Sequence, residues 1–343
     1  MMFTSESFCN FVWKSSYSKV LEKISKEDYK EFHLPKKGGV RSIHYLEKNS
    51  SLWKLQHQLL SRFLIHQPLP VCVKGFQKGE SYLSYLSEHI GARFFLRVDI
   101  SSFFPSISGE TVKDTFSRLL KCRSDEEKEK LLNLICEITT LNGSLPQGAC
   151  TSPAVSNLVM AGIDQRITKY CQVFSVRYTR YADDLLFSSD TFDFRERKWF
   201  LRKIKYILGS RHLKLNYTKI KSAEERMILN GYIISEEGIS LSRTRLADIR
   251  HLLSFSRENH DLIRKGEAEK FIQEINKLVL RHRNLKEYPF GTVFQFSQYL
   301  CGYRAFLISM LDQNRESVSF QKELRRLIRR IEREISCLNQ QVK

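Results

Sequence analysis

Hydrophobic and polar positions recur with different periods along the chain, and the changes of period mark its elements. In SLWKLQHQLLSRFL, residues 51–64, Leu52, Leu55, Leu59 and Phe63 form one stripe at helical spacing, which predicts an amphipathic helix packed into a core. ARFFLRVDISSFF, residues 92–104, changes to a run of β-branched and aromatic residues, the pattern of a buried strand that ends on a carboxylate, Asp99. Ser108 is placed to cap a following helix, and DEEKEKLLNLICEITTL predicts another. GSLPQGACTSPAVSNLVMAGIDQRI reads as a Pro/Gly loop leading into a helix that begins near Thr151 or Ser152. QVFSVRYTRYA and LLFSS flank Asp183 and Asp184 as the arms of a hairpin. A basic amphipathic helix over 194–208, the segment LKLNYTKIK and a second hairpin in ILNGYIISEEGIS follow. From Arg243 onward the pattern is helical, whereas residues 1–95 read as short amphipathic helices around a Gly-containing basic turn, KKGGVRSIH. The mixture predicts an α+β protein.

Length and composition narrow this picture. A chain of 343 residues buries a large core and predicts two or three packed subdomains. Its 42% hydrophobic and 27% charged content is ordinary, but 56 Lys and Arg against 38 Asp and Glu leave a net charge of +18. Spread along the chain, that excess points to a polyanionic partner, nucleic acid before a merely basic surface. The eight cysteines are scattered, with no C-x-x-C and no close Cys/His pairing. They predict reduced thiols of a cytoplasmic protein rather than a zinc module. The N-terminus lacks a secretory pattern and no apolar run approaches a membrane span, so no membrane partner is expected.

Two adjacent carboxylates inside the strand-like run YTRYADDLLFSS cost stability unless a cation neutralises them. If the Asp99 strand lies beside this hairpin in one antiparallel sheet, Asp99, Asp183 and Asp184 meet at one sheet end, although 84 positions separate the first two. Three converging carboxylates make a poor core and a good Mg²⁺ site. A pair of such ions roughly 4 Å apart serves phosphoryl transfer, so the residue types point to nucleotidyl transfer or nuclease chemistry.

V-D-I-S-S-F-F-P-S-I, L-P-Q-G-A-C-T-S-P-A-V-S-N-L, R-Y-A-D-D-L-L-F-S and L-K-L-N-Y-T-K, in that order, resemble the palm motifs of reverse transcriptases. Y-T-R-Y-A-D-D with Q-G-x-x-T-S-P-x-x-S-N is similar to the bacterial retron-type enzymes in particular. The likeness runs from about residue 32 to 240, and the helices beyond it fit a thumb by position. It implies a right-hand polymerase with fingers over 1–95, an antiparallel-sheet palm over 96–242 with interleaved fingers helices around 108–141, and a helical basic thumb over 243–343. Carried over by motif, Asp99, Asp183 and Asp184 hold the metal ions, and Lys219 completes the catalytic set beside the leaving pyrophosphate. Phe104 closes the pocket against a ribose 2′-hydroxyl, and Gln147 and Gly148 form the loop beneath nucleotide and template. Lys37 and Arg41 clamp the triphosphate, the arginine through its planar fork. Tyr181 combines packing with primer contact.

In FQKELRRLIRRIEREI, Leu324, Leu327, Ile328, Ile331 and Ile335 share a stripe, and Arg325, Arg326, Arg329 and Arg330 lie opposite, suited to salt-sensitive phosphate contact. The resemblance further implies two Mg²⁺ ions, with Mn²⁺ as a substitute, dNTPs, and a structured noncoding RNA as template and primer. Its product is a short cDNA joined to that RNA (msDNA), in an anti-phage system with an effector protein encoded nearby. Two motifs depart from the family: N-A-x-x-H reads Tyr85-Leu86-Ser87-Glu88-His89 and V-T-G reads Leu229-Asn230-Gly231, so only His89 and Gly231 match. The departures leave open a non-retron, defence-associated reverse transcriptase that makes unlinked, untemplated or protein-primed DNA. An RNA-binding scaffold with a vestigial site has no need of the intact aspartate trio. A metal-dependent nuclease has no need of Phe104, the Gln147 loop or the clamp.

Overall fold

The pairing of the Asp99 strand with the Asp183-Asp184 hairpin is present in the computed structural model, which describes residues 2–36, 39–283, 289–313 and 318–341. The chain forms two units, Met1–Glu88 with Phe94–Ala223, and His89–Arg93 with Glu224–Lys343. In chain order the elements around the first unit are α1 (Ser5–Trp13), α2 (Tyr17–Leu21), β1 (Tyr29–Lys36), β2 (Gly39–Leu46), α3 (Ser51–Arg62), α4 (Tyr82–Ser87) and β3 (Phe94–Asp99). They continue as α5 (Gly109–Leu119), α6 (Asp125–Thr139), α7 (Ser152–Gln172), β4 (Arg177–Tyr181), β5 (Asp184–Ser189), α8 (Lys198–Gly209) and β6 (Lys221–Glu224).

One sheet, in the order β4-β5-β3-β6 with β5 antiparallel to both β4 and β3, carries the predicted carboxylates. Its centre is buried on both faces: every residue of β5 from Leu185 to Ser189 is buried, as are Phe94, Phe95, Leu96 and Val98 of β3. Strands covered on both sides read as continuous apolar runs rather than alternations, which is the pattern of LLFSS and FFLRV. Phe116 of α5, Ile163 of α7 and Phe200 of α8 join Val98, Leu185 and Phe187 in one core cluster. The helices start where their caps predict. Ser108 Oγ accepts from the Thr111 amide at 3.2 Å, and Ser50 Oγ accepts from that of Trp53 at 3.3 Å. The α7 helix begins at Ser152 with Pro153 in its first turn, where a missing N–H costs nothing.

Three local expectations change. Residues 29–46 form an antiparallel two-stranded ribbon, β1 paired with β2 from Tyr29↔Leu46 to Lys36↔Gly39, rather than helices around a turn. Exposed apolar residues, Phe32 and Leu34 on one ribbon face and Val40 on the other, hide its period of two. The basic helix starts at Lys198, leaving 194–197 outside it. The second hairpin is a three-stranded meander, β7 (Met227–Leu229), β8 (Tyr232–Ser235) and β9 (Gly238–Leu241). Asn230 and Gly231 turn between its first two strands with φ of 48° and 82°, the left-handed pair that a tight hairpin demands.

The meander belongs to the second unit with α9 (Arg243–Glu258), α10 (His260–Arg264), α11 (Ala268–Arg283), α12 (Val293–Gln313) and α13 (Val318–Gln341). On α13, Leu324, Leu327, Ile328 and Ile331 are buried and Ile335 partly so, while Arg325, Arg326 and Arg329 are exposed and Arg330 is half-buried. Buried Glu334 of the same helix accepts from Ser256 and pairs with His260 at 2.6 Å. Among the described residues no helix is long and apolar enough to cross a membrane.

Candidate active site

Strand register builds the site. Asp99 at the end of β3 pairs with Asp184 at the start of β5, and Tyr181 at the end of β4 pairs with the same residue, so Ala182 and Asp183 make the turn between β4 and β5. The Asp183 carbonyl accepts from the Ile100 amide at 3.0 Å, and the Asp99 carbonyl accepts from the Asn216 amide at 2.8 Å. These bonds tie the L-K-L-N-Y-T-K segment to the carboxylates. Lys219 Nζ consequently reaches Asp99 Oδ1 at 2.8 Å. Arg97 donates to Asp184 Oδ1 from Nε at 2.9 Å and from a terminal nitrogen at 2.6 Å.

The electrostatics are those of crowded acids. Burial raises the Asp183 carboxyl above the ordinary carboxylate range, neighbouring Asp99 adds to the rise, and Lys219 and Arg41 oppose it. Burial also raises Asp184, and Asp183 and Asp99 repel it, while Arg97 pulls the other way. The trio therefore meets at one sheet end as expected, but its outer members lean on cations. Among the described residues no three Asp, Glu, His or Cys side chains are gathered closely enough to cage a metal by themselves.

Asp99 and Asp183 face a cavity of about 920 Å³ that is also lined by Arg41, Phe104, Gln147 and Lys219. Five separate chain segments supply these residues, and the cavity unites six of the sequence-derived candidates. Gly148 sits behind the wall: its φ is +123°, and a Cβ there would meet the His44 carbonyl oxygen at 2.7 Å. The Gln147 carbonyl accepts from the His44 amide at 2.7 Å, so β2 and the Pro-Gln-Gly loop are locked together. Tyr181 packs against Tyr82 and Tyr85 with ring centroids 5.2 and 5.9 Å away. Lys37 lies outside the described residues. Arg325, Arg326, Arg329 and Arg330 lie on α13 in the second unit.

Several residues beneath the turn escape pattern reading. Arg180 and Asp164 are an ion pair with no exposed side-chain surface, 2.8 Å apart. Tyr178 Oη also donates to Asp164 at 2.8 Å, and Arg180 donates to Asn157 Oδ1 and to the Ala182 carbonyl, each at 3.0 Å. Asn157 Nδ2 then donates to the Gly75 carbonyl at 2.9 Å. At Gly75 an added Cβ would stand 2.6 Å from the Ala182 nitrogen, so only glycine lets this segment pass the turn. The sequence signal was an arginine in a strand otherwise buried on both faces. Phe76, Ser102 and Ala182, with φ of 61°, 47° and 56°, all line the cavity, and left-handed non-glycine backbone concentrates at functional sites. The Tyr85 hydroxyl is buried without a hydrogen-bond partner among the described residues, in the field of Asp184 and Asp183.

The donors at the sheet end are hard oxygens alone. Mg²⁺ usually takes one or two carboxylates and completes its shell with water and substrate phosphates, so Asp99 and Asp183 on an open cavity fit that ion without a protein-only cage.

The sequence is similar to those of known proteins. A family model described as reverse transcriptase (RNA-dependent DNA polymerase) matches residues 24–234. The retron Ec86 reverse transcriptase of Escherichia coli is 30% identical over 227 residues, 65% of this chain and 68% of the relative. The retron Ec83 enzyme of the same species is 26% identical over 264 residues, 75% of this chain and 77% of its own. The retron Mx65 enzyme of Myxococcus xanthus is 31% identical over 182 residues; there the match spans 49% of this chain and only 42% of the relative's length. A solved telomerase from Candida albicans, 12% identical, aligns over 88% of this chain and 63% of its own, with a TM-score of 0.45.

Proposed function

The chain belongs to the reverse transcriptase family, on its retron-type branch, and from that premise we propose that it is an RNA-directed DNA polymerase that copies a structured noncoding RNA into a short cDNA. The observation that carries this reading is the register that sets Asp99 opposite Asp184, with Asp183 in the turn, on a cavity shared with Arg41, Phe104, Gln147 and Lys219. In this reading the sheet of the first unit is the palm, the β1–β2 ribbon belongs to the fingers and the helices after Arg243 form the thumb.

Asp99 and Asp183, with Asp184 behind them, would hold two Mg²⁺ ions, whose chemistry is to activate the primer hydroxyl and to neutralise the charge leaving with pyrophosphate. Arg41 faces the same cavity from β2, where its guanidinium can take the triphosphate of an incoming dNTP. Lys219 adds positive charge beside Asp99, suited to the leaving group. Phe104 occupies the wall where a 2′-hydroxyl would fall. Arg97 holds the Asp184 carboxylate in place through two hydrogen bonds to Oδ1. The four α13 arginines are suited to the phosphates of the template–product duplex.

The retron role itself, with an RNA-linked product and an effector partner in anti-phage defence, rests on relatedness. Tyr85, Leu86, Leu229 and Asn230 stand where the retron motifs carry other residues, which favours as a second reading a defence-associated enzyme with an unlinked product. Asp183→Asn combined with Asp184→Asn should abolish DNA synthesis by the purified protein and leave RNA binding within about twofold, because those charges serve metals rather than phosphates. Undiminished synthesis by the double variant would refute the polymerase site. Nucleic acid extracted from the protein then separates the two roles: a branched RNA joined 2′–5′ to cDNA marks the retron role, and free DNA marks the other.

A further inference from the structure

The ring of Phe76 is held in the catalytic cavity at some structural expense. Its segment is bolted down on both sides: the Lys74 amide donates to the Arg180 carbonyl and the Arg180 amide to the Cys72 carbonyl, each at 2.8 Å. Asn157 fixes the Gly75 carbonyl at 2.9 Å, and Gln77 Nε2 reaches back to the Val73 carbonyl at 2.6 Å. Between these anchors Phe76 adopts a φ of +61°, a genuine rarity for a bulky residue. The strain is not repaid by burial, since the residue stays 48% exposed and lines the cavity. Its neighbours are Phe104, with ring centroids 6.3 Å apart, and Tyr181 at 6.4 Å. Phe104 packs otherwise on Phe103 at 5.4 Å and is itself only partly buried.

We infer that Phe76 is a positioning residue for sugar selection, the backstop that keeps the Phe104 ring where it excludes a ribonucleotide. The inference rests on the polymerase reading, in which Phe104 faces the sugar of the incoming nucleotide. Phe76 supplies the apolar surface that stops this ring from swinging toward Tyr181, and the Asp164–Arg180–Asn157–Gly75 chain fixes Phe76 relative to the catalytic turn.

The test is single-nucleotide insertion on a primed RNA template with dCTP and with CTP, for the wild type, Phe76→Ala, Phe76→Leu, Phe104→Ala and the double Ala variant. Phe76→Ala should lower the dCTP-to-CTP ratio of kcat/KM on the order of tenfold, mainly through gain of CTP insertion, with Phe76→Leu intermediate. The double variant should discriminate no worse than Phe104→Ala, because both act on one ring. Equal loss of dCTP and CTP insertion in Phe76→Ala and Phe76→Leu, leaving the ratio unchanged, would overturn the inference and assign the residue to folding. So would additive effects of the two Ala substitutions. Failure of the wild type to insert dCTP would instead overturn the polymerase reading.

Discussion

Arg180 has no exposed side-chain surface, so its charge can be met only from inside, and Asp164, Asn157 and the Ala182 carbonyl meet it. Replacing Arg180 by Met strands the Asp164 carboxylate in the core with Tyr178 as its remaining donor; breaking a buried pair in this way costs about 3–5 kcal/mol. Urea unfolding should register that loss, and a change below about 1 kcal/mol would mean that Asp164 finds water or a proton cheaply. The carboxylates above this network are stabilised less well. The folded-state pKa of Asp183 is raised by burial and by Asp99, so its protonated form favours folding at low pH and that contribution is lost as pH rises through the raised value. Asp183→Asn should therefore melt higher than the wild type in EDTA at neutral pH, and the gap should close on acidification through the carboxylate range. Added Mg²⁺ should raise the melting temperature of the wild type more than that of the variant, because the ion needs the charge that Asn lacks.

Between elements, close backbone approach decides more than side-chain chemistry does. The Cys72–Gln77 segment reaches the β4–β5 turn only because residue 75 lacks a Cβ. Gly75→Ala should push the turn back by a fraction of an ångström and lower kcat on the order of 100-fold, as small misplacements of reacting groups do. Far-UV circular dichroism should remain native; unchanged kcat would show that the turn relaxes without loss. The same scale explains which elements could be read in advance. Helices α3, α5, α6 and α7 declared themselves through caps and apolar stripes, and β3 and β5 through runs buried on both faces. The β1–β2 ribbon did not, because Phe32, Leu34, Val40 and Tyr45 stay exposed and its apolar positions do not mark a buried face.

For the whole molecule, the proposed RNA binding should, at a charge of +18 and a pI near 9.5, depend on salt whatever RNA sequence is bound. Arg325, Arg326 and Arg329 are exposed on α13. Their joint replacement by Gln should weaken binding to unrelated RNAs alike and reduce the slope of log K against log salt by about one per lost phosphate contact. An unchanged slope would remove α13 from the RNA surface. The sequence by itself determined the α+β class, the order of the motifs, the three aspartates as candidates and the basic character of the helical end, because each of these is written in residue type and local spacing. Only the tertiary structure decided that Asp184 leans on Arg97 and Asp99 on Lys219, that Arg180 is a buried cation beneath the turn, and that the backbones at Gly75 and Gly148 pass within a missing methyl of their neighbours. Those facts depend on register and on distances between segments tens of residues apart, which period and composition along one chain do not encode.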